Sequence, residues 1–184
     1  MKNSITLIIV LSLCLPLLNS CKKGENDPFI SLKSRDNKIS QKWKLTKSEV
    51  IQVSPYSTSS ETVTATYDGT TQKIVYTLEP ANNKTATGTF EMTLEKNGTL
   101  TYNENYALAG STAIIRSGTS YWNWVNTGKN KSEINIGAGD DLFESGSYVI
   151  DRLASKELVL KYDYKITENG FNRSYSCTYT FEKE

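Results

Sequence analysis

A chain of 184 residues with 21 Lys and Arg against 20 Asp and Glu has the size of one domain and a net charge of only +1, so it carries no broad field to attract nucleic acid. It contains no histidine, which excludes Ser-His and Cys-His dyads, the usual general base near neutral pH and the commonest transition-metal ligand. No nucleic-acid partner and no cofactor is expected.

The N-terminus has one positive residue, Lys2, followed by an apolar run over residues 5–18, the charge and length of a secretory signal rather than of a membrane span. The run ends in Leu18-Asn19-Ser20-Cys21, which resembles the lipobox of bacterial lipoproteins. That resemblance implies removal of residues 1–20, diacylation of the Cys21 thiol and a membrane partner held through that lipid; an ordinary signal peptide with an incidental cysteine is the plainer alternative. Lys22 stands where aspartate retains such proteins in the inner membrane, so the resemblance further implies the outer membrane, with a periplasmic or a surface-exposed face. Residues 21–36 are polar and turn-rich and read as a tether carrying one apolar patch over residues 28–32, which leaves residues 37–184 as the domain. With Cys14 in the signal and Cys21 on lipid, Cys177 has no disulfide partner and reads as a small buried hydrophobe.

From there the chain alternates with period two and nowhere holds a helical stripe, the pattern of half-buried strands. The first strand spans residues 43–53, with a phase slip at Val50 that predicts a bulge over residues 47–49. The second sets Val63, Ala65 and Tyr67 against Thr62, Thr64 and Thr66, and Asp68-Gly69 supplies a hairpin turn with both positions at positive φ. The third carries Ile74, Tyr76 and Leu78 and ends at Pro80. Phe90, Met92 and Leu94 then turn through Asn97-Gly98 into Leu100, Tyr102 and Tyr106. A Gly/Ser/Thr-rich stretch over residues 109–119 precedes a strand at residues 121–125, a loop at residues 128–130 and a short strand with Ile134 and Ile136. Residues 137–141 read as loop. A short strand over residues 148–153 turns at Ala154-Ser155-Lys156 into a long one with Leu158, Leu160, Tyr162, Tyr164 and Ile166 on one face. Glu168-Asn169-Gly170 leads to the last strand, where Tyr175, Cys177, Tyr179 and Phe181 face in.

About ten strands joined by short turns predict an all-β domain. An antiparallel up-and-down β-barrel of 8–10 strands, closed by pairing the first strand with the last, leaves no free edge; a two-sheet β-sandwich is the alternative. The order Cys21, tether, Trp43-Lys44-Leu45, Asn97-Gly98, Trp122-Asn123-Trp124 and Tyr148-x-Ile150-x-x-Leu153 resembles the lipocalin-like lipoproteins of Gram-negative bacteria. It implies a calycin-type barrel with a ligand cavity, Trp43 plugging one end, and Arg173 lying across that ring.

Candidate ligand-binding residues follow from polarity and phase. Trp122 and Trp124 project to one face, where they either pack in the core or offer broad π-surfaces to an apolar ligand or a sugar. Glu104 falls in phase with Leu100, Tyr102 and Tyr106, and Arg152 with Tyr148 and Ile150. If both point inward they serve a ligand or pair with each other; if each lies at a strand end, they reach water. Tyr102 and Tyr162 complete the set as aromatics of the long strands. Asp140, Asp141 and Glu144 lack calcium-loop spacing and read as a solvated acidic loop. No G-x-S-x-G, Walker A, G-x-G-x-x-G or Cys-x-x-Cys motif occurs, and no enzyme is expected. Two functions stand: a lipid-anchored binder of a small apolar or glycan ligand, and a structural or interaction lipoprotein whose barrel is filled by its own side chains. A cavity of roughly 300 Å³ or more separates the first from the second. Oligomeric state is not legible.

Overall fold

A computed structural model describes residues 34–184 apart from 57–58, 127–130, 138–141 and 169–170. The signal, Cys21, the patch at residues 28–32, the loop at 128–130, Asp140, Asp141 and the Asn169-Gly170 turn lie outside the described residues. Among the described residues one short α-helix, α1 (Arg35–Ile39), precedes ten strands: β1 (Lys42–Tyr56), β2 (Ser59–Tyr67), β3 (Thr71–Tyr76), β4 (Lys84–Leu94), β5 (Thr99–Leu108), β6 (Ile114–Trp124), β7 (Glu133–Ile136), β8 (Gly146–Leu153), β9 (Glu157–Glu168) and β10 (Phe171–Lys183). Each strand pairs antiparallel with the next, and β1 pairs with β10 from Trp43↔Lys183 to Val53↔Ser174, so the sheet closes into an up-and-down barrel. The sandwich is excluded. The helix straddles the boundary expected at residue 36; Ser34 caps it by accepting from the Asn37 N–H, and Ile39 is fully buried.

The barrel is narrower at one end. There β1 pairs directly with β4 (Trp43↔Met92), whereas farther along the β2–β3 hairpin is inserted between them. Two added strands widen the wall toward the other end, because barrel diameter grows with strand number. The hairpin tip meets β1 at Thr46, and this is where the bulge falls: the register shifts between Leu45 and Lys47, slightly earlier than the sequence pattern places it. Even-numbered residues therefore face in beyond it, so Ser48 is buried and Val50 packs on the core rather than Ile51 or Val53.

Several local expectations are corrected. Only Gly69 (φ +98°) and Gly98 (φ +89°) take positive φ in their turns. Asp68 and Asn97 instead act through their side chains: Asp68 Oδ1 accepts from the Thr70 and Thr71 amides and Asn97 Oδ1 from the Thr99 amide, making longer Asx turns. The third strand stops at Tyr76, leaving Leu78 exposed before a 3₁₀ turn at Pro80–Asn82. The Gly/Ser/Thr-rich stretch is strand from Ile114 on, because β5 supplies it with a complete ladder down to Tyr106↔Ile114. Tertiary pairing outweighs weak composition there.

Inside, rings fill the barrel. Phe143 is fully buried and stands among Phe90, Tyr148, Tyr179 and Phe181, with ring centroids 5.2, 5.4, 4.8 and 5.4 Å away. It comes from the β7–β8 connection, not from a strand, and Leu142 beside it is buried as well. These two residues plug the barrel from above. Sequence alternation cannot reveal them, since an apolar pair in a loop has no period.

Candidate functional site

The three tryptophans close the narrow end. Trp43 is fully buried and its indole N–H donates to the Ile39 carbonyl at 2.8 Å, fastening α1 across the opening. Trp122 donates to the Glu95 carbonyl at 2.7 Å and Trp124 to Asp36 Oδ1 at 2.8 Å, and the two rings meet edge to face with centroids 5.7 Å apart. Lys131 lies 5.5 Å from the centre of the Trp124 ring and bonds the Asp36 carboxylate, which that bond holds below the usual carboxylate range against the opposing effect of desolvation. Lys38, buried beside them, donates to the Leu153 carbonyl at 3.0 Å. Trp122 and Trp124 thus pack on each other and on the cap. Arg173 does not reach Trp43: it pairs with Ile166 while Lys183 stands beside Trp43, ten residues and about 33 Å away along β10.

The ion pair that was one alternative for Glu104 and Arg152 is likewise not formed. Glu104 points inward and is fully buried, but its partners are Arg116 Nη1 at 3.4 Å, directly across on β6, and the Leu142 amide, which donates to Oε1 at 2.8 Å. The carboxylate therefore ties the plug to the wall, and those contacts offset its desolvation. Arg152 leaves the inward phase because β8 bulges between Ile150 and Arg152; it pairs with Glu157 at 2.5 Å on the surface. Tyr102 faces in but is packed, its ring stacked on Phe90 at 6.4 Å and lying over Gly118, where an added Cβ would stand 3.1 Å from it.

The wide end is different. Strand β8 pairs with β9 only as far as Lys161, so among the described residues β9 from Tyr162 on has a strand neighbour in β10 alone. Tyr162 and Tyr164 are uncovered as a result, at 37% and 46% exposure, on the face that holds Leu158 and Leu160 in the core. Across the β9–β10 ladder, Tyr175 stands opposite Tyr164 and the small Cys177 opposite Tyr162. Tyr162, Tyr164 and Tyr175, with Tyr148 and the segment from Glu144 to Ser147, line a cleft of about 510 Å³. A smaller cup of about 260 Å³, lined by Val50, Val63, Gln72 and Tyr106 among others, opens beside it and shares Glu144 and Tyr175 as its partition.

The ring of Tyr162 lies 6.0 Å from that of Tyr175 at 55° and 6.4 Å from that of Tyr148 at 73°, so the walls turn around the space instead of stacking flat. Tyr148 is anchored, its hydroxyl donating to the Glu144 carbonyl. The Tyr175 hydroxyl is buried without a hydrogen bond of normal geometry. Burial first, and the neighbouring Glu144 carboxylate next, push the Tyr175 phenol above its ordinary range and the Cys177 thiol up to about 11.

Of the residues singled out from sequence, the structure brings only Tyr162 to this cleft. Tyr148, Tyr164 and Tyr175 join it without having been proposed as ligand contacts, and so does Glu144, whose sequence setting raises only calcium binding and reads as a solvated acidic loop. Their period-two spacing marked the tyrosines as inward-facing, but nothing in sequence tells an inward ring that packs from one that a missing neighbour strand leaves bare. No group of three or more His, Cys, Asp or Glu side chains able to hold a metal occurs among the described residues, and none of the helices there is long and apolar enough to cross a membrane. No protein-family model matches the chain, and neither a curated protein nor a solved structure is significantly similar to it.

Proposed function

We propose that this protein is a lipid-anchored envelope lipoprotein of lipocalin-like type, held in the outer membrane through Cys21, which binds a small ligand at the wide mouth of its barrel and has no enzymatic role. The observation that carries the binding reading is the tyrosine-lined cleft, whose size suits a small molecule and whose exposed rings would be an odd expense on a purely structural surface. The address rests on the lipobox-like Leu18-Asn19-Ser20-Cys21 and on Lys22.

Native mass spectrometry of the protein purified from its own envelope tests the binding reading. A retained small molecule, lost on mild denaturation, is the expected result. A bare chain that also fails to take up any compound from an envelope extract overturns it. Cys21→Ser tests the anchor: a fatty-acid analogue should label the parent and not the variant, and label persisting on the serine form sinks the assignment.

A second reading, a filled-core structural or interaction lipoprotein, draws on a specific observation too. Phe143 and its ring neighbours occupy the barrel where a deep ligand would sit. This second reading gains if the mouth proves inert to small molecules.

A further inference from the structure

The lining of the mouth narrows the ligand to one chemical class. We propose that the cleft takes a small organic ammonium cation, its alkylated head set among Tyr148, Tyr162, Tyr164 and Tyr175 with Glu144 as counter-charge. This inference rests on the reading of the mouth as a small-ligand site.

Tyrosine faces are the negative ends of ring quadrupoles, and a cation within about 6 Å of several ring centres is attracted to each. Two perpendicular walls that both lie about 4.5 Å from one cation have centroids about 6.4 Å apart. The Tyr148–Tyr162 pair, at 6.4 Å and 73°, has that spacing, and Tyr162–Tyr175, at 6.0 Å and 55°, is close to it; Tyr148 is the buried member, packed also on Phe143 and Tyr179, so the guest meets chiefly Tyr162, Tyr164 and Tyr175.

Charge points the same way. Glu144 is the one ionisable acid in the lining, and no Lys or Arg accompanies it among the described residues. The basic residues of β9 alternate away from the tyrosines, and Lys161 pairs with Asp151 at 3.1 Å on the other face. An anionic head such as a phosphate would find neutral donors at Ser145 and Ser147 but no cation, and would be repelled by the Glu144 carboxylate. Of the causes that raise the Tyr175 phenol and the Cys177 thiol, burial comes first and disfavours any charge; the Glu144 carboxylate, which comes after it, is the part that favours a positive guest. A neutral sugar would hydrogen-bond Glu144 through its hydroxyls but would leave the charge of the carboxylate uncompensated.

The test titrates the full-length protein in detergent with choline and with 3,3-dimethyl-1-butanol, which has the same shape and no charge, following both by ligand-observed NMR. Choline should bind at least about tenfold more tightly than its neutral twin. Tyr162→Leu and Glu144→Gln should each weaken choline about three- to thirtyfold, and each should weaken choline more than the alcohol, so that the preference for the charged compound shrinks. Neither change should disturb folding: Tyr162 is partly exposed, and Glu144→Gln alters only a side chain, keeping the main-chain carbonyl that Tyr148 bonds. Displacement of bound choline by phosphatidylcholine vesicles would assign the head group to lipid, and its absence to a free solute.

Equal binding of choline and the alcohol, or tighter binding of chitobiose than of choline, overturns the cation assignment while leaving the mouth a ligand site. Failure of every compound, together with an empty chain from the envelope, overturns both.

Discussion

Removing the plug ring should cost nearly as much as removing a ring from a strand. In Phe143→Ala the lost transfer free energy of a fully buried phenyl is about 2 kcal/mol. The roughly 100 Å³ left behind adds about 2 kcal/mol if the site does not collapse. Collapse is resisted because the four surrounding rings hang from β4, β8 and β10, elements fixed by the closed ladder. The sum, about 4 kcal/mol, is a large fraction of a typical domain stability of about 5–15 kcal/mol. Urea denaturation followed by tryptophan fluorescence should show the midpoint falling by about 2 M with the slope unchanged, for a slope near 2 kcal/mol/M. Phe143→Leu, which refills most of the space, should lose roughly a third of that. A midpoint shift under about 0.5 M for the alanine variant would mean that the β7–β8 connection is not part of the core, and that the barrel is stable without its plug.

Gly88→Ala should destabilise by about 1–3 kcal/mol or more, because an added Cβ would stand 2.2 Å from the Asn105 carbonyl oxygen; a melting point equal to the parent's would refute that close approach. The Asp36 carboxylate is held low by Lys131, so its contribution is complete above the ordinary value of 3.8 and drains away as pH falls through the carboxylate range. Asp36→Asn should therefore lower stability at pH 7 and narrow the gap between pH 7 and pH 3, and an unchanged gap would show that the cap carries no linkage. Cys177, with its thiol pushed up to about 11, is thiolate on the order of one part in a thousand at pH 8. Its peptide should stay unmodified by iodoacetamide until denaturant is added, and rapid labelling of the folded chain would contradict its burial.

Period-two alternation sufficed to read the strand class, most of the inward faces and the closure of β1 on β10, because an unpaired apolar edge is costly wherever it lies in the chain. Glu104 was legible as a charge in phase with Leu100 and Tyr106, with an inward and a solvent-reaching placement both open; its burial decides for the first and demands partners. What those partners are was not legible. Arg116 sat in a stretch without periodicity, and Leu142 in a loop, whereas Arg152 looked eligible until a single extra residue at the β8 bulge turned it to the surface.

The sequence by itself determined that tyrosines 162, 164 and 175 share the face of the barrel core, since that depends only on each residue's neighbours along its own strand. Only the tertiary structure decided that they line a cleft. Their exposure follows from β8 ending its pairing at Lys161, from Leu142 and Phe143 filling the depth below, and from the β2–β3 hairpin widening the wall at that end. Each of these is a relation between segments far apart in the chain, and strand periodicity, being local, carries no record of where a neighbouring strand stops.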